Sequence, residues 1–188
     1  PVDARHARDA LVKQLYARVF DHVVHTINCA LAMDKAAKSA ATIGLLDVFG
    51  FESFKRNSFE QLCINYANET LQQQFNQYVF KLEQQEYERE QIEWSFIAFP
   101  DNQDCLDLIE HRTNGILAFI DDECRLPRAT DEKLVARMHK ALEAHPRFHF
   151  DRKMKRDCQF EIRHYAGPVV YTATSFCLKN KDELPKEA

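Results

Sequence analysis

Apolar residues recur every four positions near the start of this chain, at Leu11, Leu15, Val19, Val23 and Ile27, with Val12, Tyr16, Phe20 and Val24 widening the stripe. That period predicts a broad-faced amphipathic helix over residues 7–31. A short Lys/Ala/Ser stretch, residues 35–41, leads into the apolar run Ile43-Gly44-Leu45-Leu46, which reads as a buried strand ending at Asp47. Such a strand needs neighbours on both sides, so some of its partners are expected outside this sequence. Asn57 then stands as a helix cap before Ser58-Phe59-Glu60, and Phe59, Leu62, Tyr66, Leu71, Phe75, Tyr78, Val79 and Leu82 mark one face of a helix running to about Trp94. With no Pro or Gly to interrupt it, this rod of about 36 residues reaches roughly 54 Å. Its other face is largely Gln and Glu.

Phe99-Pro100-Asp101-Asn102 signals a turn, and Leu106, Ile109 and His111 a short helix. A second helix is expected over residues 115–123. After the loop Arg125-Leu126-Pro127-Arg128-Ala129, a third follows, capped by Thr130, with Asp131 and Glu132 in its first turn. These form a helical hairpin with an apolar and basic tip, which suits either an ordinary corner or a partner surface. Phe160-Glu161-Ile162-Arg163-His164-Tyr165 alternates as a half-buried strand, Ala166-Gly167-Pro168 turns it, and Val169-Val170-Tyr171 begins another.

Composition narrows the picture. The 188 residues are 45% hydrophobic with only 4 Gly and 6 Pro, which favours an ordered, helix-rich chain. A net charge of −4 argues against electrostatic attachment to nucleic acid. No apolar stretch is long enough to cross a bilayer, and the polar first ten residues carry no signal-peptide core, so a cytoplasmic protein is expected. The 6 cysteines include no C-x-x-C pair and are expected to be free thiols.

Asp47-Val48-Phe49-Gly50-Phe51-Glu52 delivers acid, glycine and acid at a strand end. Carboxylates in such places hold Mg²⁺ through water, and a glycine lets a backbone N–H approach a phosphoryl oxygen. The motif senses phosphate at most: there is no G-x-x-x-x-G-K-[ST], so tight nucleotide binding by this chain alone is excluded. His145 and His149 near Asp151 are set aside as metal ligands because Pro146 spoils a shared helical face. His164 is expected to pack and hydrogen-bond rather than act as a base.

Asp47-Val48-Phe49-Gly50-Phe51-Glu52, followed by Asn57-Ser58-Phe59-Glu60-Gln61-Leu62-Cys63-Ile64-Asn65-Tyr66-Ala67-Asn68-Glu69, closely resembles the switch II loop and relay helix of myosin motor heads. The resemblance extends upstream to Ala7-Arg8-Asp9-Ala10-Leu11-Val12-Lys13. Downstream it takes in Gly115-Ile116-Leu117, Leu126-Pro127-Arg128-Ala129-Thr130, His164-Tyr165-Ala166-Gly167 and Asn180-Lys181-Asp182, covering essentially the whole chain. Val48, Leu126 and Glu183 depart modestly from the family pattern.

The resemblance implies an α/β P-loop NTPase fold of the myosin motor type, of which this segment is mostly helical with a few strands of a larger central sheet. It divides the chain into helix and linker (1–41), strand and switch II (42–56), relay helix and loop (57–104), lower actin-binding helix-loop-helix (105–150), and strands with a terminal segment (151–188). It implies ATP and Mg²⁺ as cofactors of the intact motor, with Asp47 ordering the Mg²⁺ shell through water, Gly50 meeting the γ-phosphate and Glu52 pairing with a switch I arginine. Asn57 and Trp94 would mark the two ends of the relay. Thr113, Asn114, Phe119, Arg125, Leu126, Pro127, Arg128 and Thr130 would fall at contacts with an actin filament, in a cytoskeleton-associated protein. The expected function is a central segment of an actin-activated ATPase motor, inactive without the P-loop and switch I and working against a converter and the remaining motor segments. The alternatives are a truncated actin-binding module without ATPase activity and another switch-bearing NTPase with a helical insertion.

Overall fold

The computed structural model describes residues 2–31, 43–93 and 101–180. The chain divides into two units, Pro1–Asp47 with Asp182–Ala188, and Val48–Lys181. Trp94, residues 97–100 of the expected relay loop, the 35–41 linker and the Lys181-Asp182 pair lie outside the described residues. In the first unit, α1 (Val2–Leu31) is one continuous helix that starts earlier than its periodicity predicts. Tyr16, Val19 and Phe20 of its apolar stripe are 72%, 60% and 57% exposed.

The strand expected at residues 43–49 is not formed. This stretch carries no ladder, and Ile43 and Leu45 are 92% and 98% exposed. The physical reason is the need for neighbours: strand N–H and C=O groups require partners, and the three strands among the described residues make a sheet of their own.

In the second unit, α2 (Phe59–Phe75) runs into a π-helical stretch (Asn76–Lys81) and then α3 (Leu82–Arg89), with the junction residues Asn76 and Leu82 both helical. The rod therefore ends before Trp94. Gln91 takes a left-handed φ of 54°. The Gln91 N–H donates to the Glu88 carbonyl at 3.3 Å and the Ile92 N–H to the Tyr87 carbonyl at 3.0 Å, the paired bonds that close a helix C-terminus. Glycine usually takes that left-handed position, and its absence hid the stop. At the other end the cap is Ser58, not Asn57: the Ser58 N–H donates to Gln61 Oε1 at 2.9 Å, the Gln61 half of a capping box. Asn57 is buried instead, with its Nδ2 donating to the Val170 carbonyl at 3.0 Å.

Behind the rod, α4 (Gln103–Glu110), α5 (Ile116–Cys124) and α6 (Asp131–Leu142) enclose a core with β1 (Phe148–His149), α7 (Arg152–Arg156), β2 (Gln159–His164), β3 (Gly167–Thr172) and α8 (Phe176–Lys179). Leu62, Ile109, Ile116, Ile120, Leu134, Met138, Phe160, Ile162, Tyr171 and Phe176 are all fully buried there. At Gly115, the residue that caps α5, an added Cβ would lie 2.5 Å from the His111 backbone N, so only glycine permits this approach. The sheet is antiparallel in the order β1-β2-β3, and Phe160, Ile162 and His164 of β2 point inward, as their alternation predicts. The β2–β3 hairpin pairs His164 with Gly167, whose φ of 132° suits glycine.

Candidate functional site

Two helix asparagines grip the loop around Gly50. Asn68 Nδ2 donates to the Phe49 carbonyl at 2.9 Å on one side. On the other, the Glu52 N–H donates to Asn65 Oδ1 and Asn65 Nδ2 donates to the Glu52 carbonyl, each at 2.7 Å, so a single amide serves as a strand-like partner. Gln61 Nε2 reaches Glu52 Oε2 at 3.2 Å. Phe51 packs edge-on against His164 and Tyr165 at centroid distances of 5.3 and 5.8 Å. Gly50 itself is exposed, and an added Cβ would meet no atom of the described residues within 4 Å. The fold of this unit therefore does not demand glycine at that position. Asp47 belongs to the other unit and is exposed.

Beneath the loop lies a buried polar chain. Leu62, Asn65, Glu69 and Gln73 form the buried face of α2, and three of the four are polar. Asn65 Nδ2 also donates to the Tyr171 hydroxyl at 2.8 Å. His164 stands between Tyr171 and Glu69, with Nε2 and Nδ1 each 2.8 Å from its partner. With the proton on Nδ1, the imidazole donates to the Glu69 carboxylate and accepts from the Tyr171 hydroxyl, so every contact is satisfied. Asn102 Nδ2 donates to Glu69 Oε1 at 2.7 Å, and the Tyr165 N–H also reaches the carboxylate. Burial is the largest influence on Glu69 and pushes its pKa up. Hydrogen bonds from His164 and Asn102, the electrostatic pull of His164 and the Tyr165 N–H together outweigh it and hold the carboxyl below its ordinary value.

Glu69, Cys105 and His164 place ligand-type atoms within 4.8 Å of one another. The donor set does not suit a cation. Burial, followed by the Glu69 charge, pushes the Cys105 thiol well above its ordinary pKa, and both His164 nitrogens are already engaged. The expectation that His164 packs and hydrogen-bonds holds. His145 is half-buried and receives the Arg147 N–H at Nδ1, while His149 is exposed.

The α5–α6 hairpin forms where the sequence places it. Arg125, Leu126, Pro127 and Arg128 at its tip are exposed, as are Thr113 and Asn114 before α5. Thr130 caps α6 by accepting the Lys133 N–H at 3.3 Å, and its own N–H points to Glu123 Oε1 at 3.4 Å. Phe119 is a correction. It is only 4% exposed, packed in the core with the Arg137 guanidinium 4.9 Å above its ring, so it is no surface contact. It shares the inward face of α5 with Ile116, Ile120 and Glu123, a spacing legible in the sequence.

Sequence reasoning missed the polar chain under the loop and the ties made by α8. The first had a visible signal, since Asn65, Glu69 and Gln73 repeat every four residues in line with the apolar face. The second had none: Lys179 Nζ donates to Ser58 Oγ at 2.9 Å and Glu60 Oε2 at 2.6 Å, across 121 and 119 residues of sequence. No helix among the described residues is long and apolar enough to cross a membrane.

The myosin head (motor domain) family matches residues 2–188. A myosin-I heavy chain of Dictyostelium discoideum is 51% identical over 97% of this chain and 8% of its own length. Myosin-6 of Arabidopsis thaliana is 50% identical over 100% of this chain and 12% of its own length, and Protein OPAQUE1 of Zea mays is 49% identical over 96% and 12%. The chain thus spans only about a tenth of the length of these curated relatives. Matched from end to end by the family and near half identical to relatives from a slime mould and two plants, this chain belongs to the myosin head family and is a portion of a motor domain.

Proposed function

We propose that this chain is the switch II, relay and lower actin-binding portion of an actin-activated ATPase motor. The observation that carries the proposal is the grip of Asn68 and Asn65 on the backbone on either side of Gly50. Movement of Gly50 toward a phosphoryl oxygen pulls on α2 through these amides, because bonds of 2.7–2.9 Å leave little slack. The rod from α2 to α3 then carries that displacement toward a converter.

Asp47 fits a metal that keeps most of its waters and takes one or two protein carboxylates, as Mg²⁺ does beside phosphates. When bound, Mg²⁺ neutralises phosphoryl charge. The chain's own contributions are the Gly50 N–H toward the γ-phosphate and the Glu52 carboxylate, steadied by Gln61, toward an arginine of switch I. The exposed basic and apolar hairpin tip supports actin contact through Arg125, Leu126, Pro127 and Arg128, with Thr130 beside it and Thr113 and Asn114 exposed at the other end of α5.

Gly50→Ala in the intact motor tests this role. No atom of the described residues lies within 4 Å of the new Cβ, so the head is expected to fold and still bind ATP. Steady-state hydrolysis falls about 100-fold or more because the methyl group blocks the backbone's approach to phosphate. Hydrolysis at the normal rate would remove the switch assignment.

A further inference from the structure

Two cysteines come together where the hairpin joins α8. Cys124 ends α5 and donates from Sγ to the Cys177 carbonyl at 3.3 Å, which sets the Cys124 sulfur directly against the Cys177 backbone. They come from positions 53 residues apart, on elements that other bonds hold together. Asp131, the first residue of α6, accepts the N–H groups of Ser175 and Cys177 at 2.6 and 3.0 Å. Asn180 donates to Asp121 of α5 at 2.7 Å. On its other side α8 is tied to the start of α2 through Lys179, and Phe176 packs edge-on against Phe59 at 5.5 Å. With four residues, α8 has little helical stability of its own and is placed by these contacts. It is the bracket between the hairpin and the helix that follows the switch loop.

We propose that Cys124 and Cys177 form a reversible intrachain disulfide that locks this bracket under oxidation by a peroxide. Cys124 is partly exposed and reacts first: its thiolate sulfur attacks a peroxide oxygen, the O–O bond breaks, and a sulfenic acid forms with release of water. Cys177 is buried, and burial, followed by the neighbouring Cys124 and Asp131, pushes its thiol up to about 12, so peroxide meets Cys124 first and Cys177 becomes a nucleophile only as its proton leaves. Its sulfur then attacks the Cys124 sulfur, the S–S bond forms, and the S–O bond breaks. The departing hydroxide takes the Cys177 proton, passed through the Asp131 carboxylate that accepts the Cys177 N–H, and leaves as water. Two thiols lose two electrons in all, and one hydrogen peroxide becomes two waters.

The new bond, about 2 Å long, replaces a hydrogen-bonded contact and fixes the end of α5, immediately before the Arg125–Arg128 tip, to α8. Its regulatory consequence rests on the motor role proposed above: the hairpin and the start of α2 lose their freedom to shift relative to each other, and actin activation falls.

The test uses the intact motor, reduced, exposed to hydrogen peroxide, alkylated and mapped by peptide mass. A Cys124–Cys177 cross-linked peptide is expected, lighter by two hydrogens than the reduced pair and reversed by dithiothreitol. Actin-activated turnover is expected to fall several-fold with it and to recover on reduction. Cys177→Ser, and separately Cys124→Ala should the first disturb packing, abolish both changes while keeping basal turnover. A stable sulfenic acid at Cys124 with no cross-link would overturn the proposal, and a cross-link that leaves actin activation unchanged would overturn its regulatory part. Absence of actin activation in the reduced motor would refute the motor role, whereas the cross-link is read by mass and stands or falls independently.

Discussion

Asn65, Glu69 and Gln73 on the inner face of α2 are buried, whereas Arg125, Leu126, Pro127 and Arg128 at the hairpin tip are all exposed. Under the loop, a polar group taken from water is costly without a partner inside the protein, and the bonds among Asn65, Glu69, His164 and Tyr171 thereby fix the geometry. At the tip, water satisfies the charges, and residues change with little effect on the fold. The first region is suited to holding a loop in one position and the second to meeting another surface. A substitution that tells them apart must therefore be read on two scales, stability and affinity.

The largest effect is expected at Glu69 and His164. Leaving one member of a buried hydrogen-bonded pair without the other costs about 3–5 kcal/mol, so His164→Leu should lower the denaturant midpoint of the head sharply, and Glu69→Gln, which retains hydrogen-bonding capacity, less so. The pH dependence has a defined sign. Glu69's carboxyl is held below its ordinary value in the fold, so the unfolded chain binds the proton more readily. The stabilisation is complete above the ordinary carboxyl pKa and is lost as pH falls through the depressed folded value. Acid unfolding followed by circular dichroism should show this limb in the wild type and lose part of it in Glu69→Gln. Identical acid limbs would mean that Glu69 does not hold its charge in the core.

The same contrast explains what was legible in the sequence. The hairpin and the Thr130 cap rest on local signals, namely periodicity and a capping hydroxyl, and both form as read, whereas the β2–β3 turn falls at Tyr165-Ala166, with Gly167 and Pro168 already paired to His164 and Arg163 in β3. The cap of α2 shifted by one residue because Asn57 and Ser58 are both good caps, and the choice between them was made by Val170, 113 residues away, which takes the Asn57 amide. The helix stop at Gln91 lacks its usual glycine. The strand at residues 43–49 is apolar enough for a sheet centre, but sequence pattern alone does not say which chain supplies its neighbours. Of the site, the acid-glycine-acid motif was visible on its own, while the amides that grip it became meaningful only once α2 lay beside the loop.

Thr130 sits between the two regimes, exposed at the tip yet bonded through its hydroxyl to Lys133 N–H. Thr130→Ala should cost about 1 kcal/mol through the lost cap, measured as a shift in denaturant midpoint without a change in slope. Thr130→Ser keeps the cap and should restore most of that loss. If Ser restores stability but not actin affinity, the Thr130 methyl belongs to the contact surface as well as to the fold.

The smallest effect on stability, and the sharpest division between the regions, is expected for Leu126→Asp combined with Pro127→Ala. Leu126 is 50% exposed, so little packing is lost and the unfolding midpoint should stay within about 0.5 kcal/mol of wild type. Actin co-sedimentation of the motor should nevertheless weaken about tenfold, because an acid replaces the apolar centre of a patch flanked by Arg125 and Arg128. Raising salt should narrow the difference between the two proteins if those arginines meet acidic groups across the interface. Unchanged pelleting at every salt concentration, with stability intact, would take the tip out of the actin interface and leave its exposure as that of an ordinary helical corner.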